Sequence, residues 1–179
     1  MPDATMNEPL STADRHRVTW PTLKWVMSDP GRLLMFGFGI GLVRPGSGTW
    51  GTLLAWLLWV AAVQGLSDLA IGIFILVSFA YGCWACERVS RSLGVDDHVG
   101  IVWDEWVAFW LVLWLVPAGW VSQGMAFFLF RVFDTLKPPP IRQVDARVKG
   151  GFGIMLDDLL AAGYTLICMA LLVRFGFPF

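Results

Sequence analysis

Long apolar runs separated by short polar stretches dominate the chain, at about 33–63, 69–86, 101–116, 119–133 and 159–175. About 20 apolar residues cover the hydrocarbon core of a bilayer, so runs of this kind predict membrane helices. Short connections at Gln64-Gly65-Leu66-Ser67-Asp68 and Pro117-Ala118-Gly119 make neighbouring helices antiparallel. The pattern predicts an all-α, multi-pass membrane helical bundle with about five membrane segments. No internal repeat or low-complexity linker divides it. Residues 20–179 therefore read as a single membrane-embedded domain behind a flexible or disordered tail, residues 1–19.

The first run is interrupted. Residues 36–53, FGFGIGLVRPGSGTWGTL, hold six glycines and Pro45. Each interior glycine costs a helix about 0.8–1 kcal/mol relative to alanine, and proline removes a backbone donor. A helix capped by Ser47 or Thr49 and running from Trp50 to Val63 spans only about 21 Å. Residues 36–51 are thus expected to be broken or re-entrant, which lipid permits only where the backbone is buried in protein or lines a watery cavity. Glycine amides leading into a helix start also make an anion site. Close helix packing through small residues fits the same spacing, but Arg44 within the loop favours the anion.

Composition sharpens the class. The 179 residues are 56% hydrophobic with eleven tryptophans, which excludes an ordinary soluble domain. A net charge of −1 without a basic run leaves no footprint for nucleic acid. The polar N-terminal stretch lacks the order of a cleavable signal, so the first membrane segment is expected to remain as the anchor. The tryptophans read as an interfacial belt. Cys83, Cys86 and Cys168 all lie in apolar runs, and the CxxC at 83–86 has no βαβ setting, so all three read as packing residues.

Lys and Arg fix an orientation. Arg15, Arg17, Lys24 and Arg32 precede the first run, Arg88 and Arg91 follow the second, and Arg131, Lys137, Arg142, Arg147 and Lys149 lie between the fourth and fifth. The positive-inside rule makes that side cytoplasmic, with the N-terminus inside. Asp96, Asp97, Asp104, Glu105, Asp134, Asp145, Asp157 and Asp158 fall on the same side.

Within GIVWDEW, Asp104 and Glu105 open a helix, where the macrodipole favours each by only about 0.3–1 kcal/mol. Asp157 and Asp158, after the flexible loop of Gly150, Gly151 and Gly153, are expected to open the last apolar segment in the same way. Two acid-paired helix entrances on one face can converge on a cation, and oxygen-only ligands indicate Mg²⁺ or Mn²⁺. In FRVFDTLKPPP, Arg131, Asp134 and Lys137 share a helix face that the prolines end, as a salt-bridge set or a phosphate-binding cluster. The loop DDHVG, with His98, reads as a solvated shoulder.

Other chemistries lack their letters. Neither Cys83 nor Cys86 is followed six residues later by Arg, no DxD pair exists, histidines are too few for a histidine nucleophile, and GxSxG is missing. The DxxDGxxAR signature of CDP-alcohol phosphotransferases is absent too. A channel with an acidic mouth is disfavoured because no ionisable chain crosses the middle of the apolar runs.

Four motifs, FGFGIGL…GTWGTL, IVWDE, FRVFD…KPPPI and GGFGIMLDD, occur in one order from about residue 28 to the last helix. In this combination the chain resembles the phosphatidylglycerophosphatase A family. The resemblance implies a bacterial inner-membrane, Mg²⁺-dependent enzyme that hydrolyses phosphatidylglycerophosphate to phosphatidylglycerol and phosphate. On that reading Asp104, Glu105, Asp134, Asp157 and Asp158 are the metal ligands, and Asp104, Glu105, Asp134 and Asp158 the catalytic set. Arg131, Lys137, Arg142 and the Gly48, Thr49 and Gly51 region hold the phosphate. Five carboxylates exceed the needs of one partly hydrated Mg²⁺, so two metals, a general base and an aspartyl nucleophile all stay open.

Overall fold

The structure, a computed structural model, describes residues 20–178. The expected tail, residues 1–19, lies outside them. The regular elements among the described residues are all helices, with no strand: α1 (Leu23–Met27), α2 (Pro30–Met35), α3 (Ser47–Leu58), α4 (Asp68–Leu93), α5 (Trp103–Leu115), α6 (Trp120–Leu136), α7 (Ile141–Arg147) and α8 (Gly150–Arg174).

Local chemistry explains most boundaries. Asp29 Oδ1 accepts the Arg32 amide at 3.0 Å and Pro30 takes the first position of α2, where its missing N–H costs nothing. Ser67 caps α4, which ends at Gly94 in the left-handed region (φ 69°). Pro117 and Pro138 follow α5 and α6 within two residues of their last turns.

The glycine-rich stretch breaks as expected. Gly37–Leu42 forms tight 3₁₀ turns, with Phe38 and Gly39 at positive φ, and an irregular link leads to Gly46, which opens α3 in the left-handed region. The first apolar run is thus α2, a 3₁₀ segment and α3, not one long helix. At its other end α3 widens into a π turn over Trp59–Val63, where the Gln64 amide reaches back to the Trp59 carbonyl at 3.0 Å.

The last apolar segment differs from expectation. The glycines at 150, 151 and 153 are the first turn of α8, not a flexible loop, so Asp157 and Asp158 lie two turns inside the helix. Packing overrides intrinsic propensity here: a Cβ on Gly151 would overlap the Cys83 carbonyl, so glycine is what lets α8 lie against α4. Glu87 on α4 then accepts the Gly151 amide at 2.7 Å and satisfies one orphan donor of the helix start.

Helix α8 packs against α4, α5, α6 and α7, and α3 covers α5 from the other flank. One buried apolar cluster runs through these elements. The tryptophans correct the belt expectation. Trp59, Trp103, Trp106 and Trp110 are buried in that cluster, with Trp103 donating to the Ser78 carbonyl (3.0 Å) and Trp110 to the Ala55 carbonyl (2.9 Å). Trp50, Trp84 and Trp120 do remain exposed. Cys86 is buried with its sulfur 3.5 Å from Met35 Sδ, a packing role as expected.

Helices α4 and α8, of 26 and 25 residues, are long and apolar enough to cross a membrane. Only 33% of the most apolar window of each is buried, and Leu69, Leu76 and Ile167 stand exposed, whereas the core helix of a soluble protein hides such faces. The other apolar helices are shorter: α5, with 13 residues, reaches about 20 Å.

Candidate active site

The N-terminal ends of α3, α5 and α8, the C-terminal end of α6 and the loop 94–102 surround a cavity of about 520 Å³. Among the described residues, Asp97, Asp104, Glu105, Asp134, Asp157 and Asp158 line it with Arg44, Arg131 and Lys137. Charges that lie up to 114 positions apart in sequence thus share one space, an arrangement that needs α5 and α8 to point their starts, and α6 its end, the same way.

Arg131 is the hub. Its Nη1 lies 2.9 Å from Glu105 Oε1 and 2.7 Å from Asp134 Oδ2, and reaches Thr52 Oγ1 at 3.4 Å. The pair with Asp134 is the i,i+3 contact that the sequence spacing predicts. Lys137 departs from that pattern: it ends α6 in the left-handed region (φ 44°), and its ammonium binds Asp157 on α8 and Asp145 on α7 (3.4 Å) instead of Asp134.

The start of α3 fits against this hub with no space to spare. A Cβ on Gly48 would overlap the Glu105 carboxylate and press on the Arg131 guanidinium, and one on Gly51 would meet Val102 and Glu105. Ser47 is not a cap: its hydroxyl donates to the Val99 carbonyl at 2.6 Å, binding the helix start to the loop 94–102. The first-turn amides of α3 therefore stay available beside Gly48, which lines the cavity.

Of the expected phosphate contacts, Gly48, Arg131 and Lys137 line the cavity. Gly51 supports its wall, while Thr49 and Arg142 are exposed and outside the lining. All five expected acids line it. The loop 94–102 corrects an expectation: His98 is buried, accepts the Gly100 amide through Nδ1 (3.0 Å) and packs against Trp20 and Phe36, so the loop is a wall of the cavity. Thr52 and Trp20 were not foreseen. The i+4 hydroxyl of Thr52, bonded to the Gly48 carbonyl at 2.8 Å, was readable only as ordinary helix back-bonding.

Asp97 keeps surface open to the cavity, yet the protein around it strips away much of its hydration. That desolvation is the largest cause raising its carboxyl to about 6. Asp157, Asp145 and Asp134 add to the shift and Lys137 opposes it.

The donor set suits the Mg²⁺ that the sequence implies. Asp104 Oδ1, Glu105 Oε2 and Asp158 Oδ2 are buried without a hydrogen-bond partner, a costly state for carboxylate oxygens unless a cation meets them. They are hard ligands of the kind Mg²⁺ takes. They do not form a ready-made cage, because among the described residues no three acid, His or Cys side chains converge closely enough to clasp an ion. Glu105 Oε1 and Asp134 Oδ2 are engaged by Arg131, and Asp157 Oδ2 by Lys137.

Comparison with known proteins agrees with the motif reading. The profile of the family described as Phosphatidylglycerophosphatase A matches residues 33–173. The chain belongs to the phosphatidylglycerophosphatase A family. A Haemophilus influenzae protein named Phosphatidylglycerophosphatase A is 44% identical over 148 residues, 82% of this chain and 91% of that one. The Escherichia coli K12 protein of the same name is 38% identical over 138 residues, 75% of this chain and 78% of that one. A Bacteroides thetaiotaomicron protein, 37% identical over 146 residues (77% and 90%), is named provisionally as a phosphatidylinositol-3-phosphatase. No solved structure matches the chain. In this family the matched span contains every cavity residue from Arg44 to Asp158.

Proposed function

We propose that this member of the phosphatidylglycerophosphatase A family hydrolyses the terminal phosphate monoester of phosphatidylglycerophosphate, with Mg²⁺, at the cytoplasmic face of the bacterial inner membrane. The carrying observation is the convergence of paired cations and partnerless carboxylate oxygens in one cavity at one end of an apolar bundle. On this reading the five apolar segments lie in the bilayer with the N-terminus inside, as the Lys and Arg distribution favours. The short α3 and α5 are accommodated beside α4 and α8.

A phosphate monoester near neutral pH is close to a dianion, so charge must be met before a nucleophile can approach. Arg131 is held rigid by Glu105 and Asp134, leaving its remaining N–H groups to face a phosphoryl oxygen. Lys137 and the first-turn amides of α3 offer further donors. Asp104, Glu105 and Asp158 would hold Mg²⁺ through their partnerless oxygens, with Asp134 and Asp157 behind them. Bound there, Mg²⁺ supplies Lewis acidity that offsets phosphoryl charge and makes water easier to deprotonate. Water attacks phosphorus as one of these carboxylates takes its proton, and the same carboxyl gives that proton to the glycerol oxygen as its bond to phosphorus breaks, releasing the free hydroxyl of phosphatidylglycerol.

The test is phosphate release by purified, detergent-solubilised protein, with Mg²⁺ and with chelator, from phosphatidylglycerophosphate and, in parallel, from phosphatidylinositol 3-phosphate. Mg²⁺-dependent release from the first substrate is expected. No release from folded protein in either condition sinks the reading, and preference for the inositol lipid would replace its headgroup.

A further inference from the structure

Arg44 differs from the other two cations of the cavity. Arg131 and Lys137 are taken up by carboxylates, whereas among the described residues no carboxylate pairs with Arg44. Its guanidinium instead lies 3.5 Å from the centre of the Trp20 ring, which in turn packs edge-on against buried His98. An aromatic face holds a guanidinium in place without neutralising it, so its N–H groups stay available to an anion. Arg44 is also exposed, while the side chains of Arg131 and Lys137 are 17% and 27% accessible. The uncommitted cation is thus the outermost of the three.

The substrate carries two phosphates: a terminal monoester, and a diester one glycerol away that joins it to the acylated glycerol. The reacting monoester must reach the deep carboxylates, which leaves the diester nearer the mouth. We propose that Arg44, held by Trp20, is a specificity-determining residue that binds the diester phosphate. The assignment rests on the proposed lipid phosphatase reading. One guanidinium matches the single charge of a diester, and α3, which follows Arg44 within three residues, exposes Trp50 and Leu57 along an apolar groove whose chemistry suits an acyl chain.

The experiment separates the two phosphates by product inhibition of phosphatidylglycerophosphate hydrolysis in mixed micelles. Phosphatidylglycerol retains the diester and lacks the monoester; inorganic phosphate has the reverse. Arg44→Ala should raise KM and the inhibition constant of phosphatidylglycerol together, by about ten- to a hundredfold, the usual range for losing a charge-assisted hydrogen bond. The inhibition constant of inorganic phosphate should stay within about twofold, as should kcat, since only uniform binding is lost. Arg44→Lys should recover part of the loss, and Trp20→Ala should reproduce it more weakly. A parallel rise for inorganic phosphate would put Arg44 on the monoester, and an unchanged KM would remove it from substrate binding; either overturns the proposal while the lipid phosphatase reading stands. Absence of hydrolysis by the unsubstituted protein would remove that reading, and this proposal with it.

Discussion

Arg131 Nη1 lies 2.9 Å from Glu105 Oε1 and so ties α6 to α5 beside the first turn of α3. Both side chains are nearly buried, at 17% and 11% accessibility. Removing one partner of such a pair leaves the other desolvated and unmatched, at a cost of about 3–5 kcal/mol when fully buried. Arg131→Ala should therefore lower both the melting temperature in detergent and the activity, with a stability loss below that figure because the cavity admits water. Glu105→Gln keeps the shape and the contact, and should lose activity by about a hundredfold or more while melting near the parent value. Equal melting temperatures for parent and Arg131→Ala would show that the pair does not hold the helices.

Gly48→Ala tests the close approach. Propensity alone favours alanine in a helix by about 1 kcal/mol, but here the added methyl would overlap the Glu105 carboxylate. A forced shift of about 1 Å can cost about a hundredfold in rate, and that is the expected loss in kcat/KM. Gly65→Ala, where a Cβ meets open space, should leave the rate unchanged. Full activity in Gly48→Ala would refute the geometry.

Asp158 Oδ2 and Asp104 Oδ1 stand without partners, so each is a standing cost until a cation arrives. Asp158→Asn should melt at or above the parent in chelator, yet show no hydrolysis. Adding Mg²⁺ should raise the parent's melting temperature in a concentration-dependent way, as binding to the folded state requires, and raise that of Asp158→Asn much less. Identical Mg²⁺ responses would exclude Asp158 as a ligand.

Asp97 gives a pH signature. Its carboxyl titrates at about 6 in the folded protein against an ordinary value of 3.8, so the folded state holds a proton there that the unfolded chain has released. Stability from this group is therefore greatest below pH 3.8 and is lost as pH rises through about 6. In chelator, Asp97→Asn should melt less steeply with pH across that window than the parent. Parallel melting curves would refute the shift.

The sequence made the all-helical class legible because apolar runs and proline stops are local signals. Arg131 with Asp134 was readable for the same reason, as an i,i+3 pair. The fate of Lys137 was not, since its partners sit on α7 and α8 and its left-handed backbone is set by the turn that follows. The start of α8 was misread because glycine propensity argues against a helix, while the contact of Gly151 with α4 depends on a residue 68 positions away. The burial of His98 is not legible because the polar run Asp96-Asp97-His98 cannot reveal that Trp20 and Phe36 pack against its ring.

The buried indoles have an optical consequence. Trp103, Trp106 and Trp110 lie with ring centres 5.7–6.0 Å apart, and the first two flank Asp104 and Glu105 in the same helical turn. Excitation shared within that cluster is sensitive to a charge arriving at the neighbouring carboxylates. If the proposed cation binds at Asp104 and Glu105, its charge lies beside this cluster, and tryptophan emission is expected to change as Mg²⁺ is titrated into the unlabelled protein.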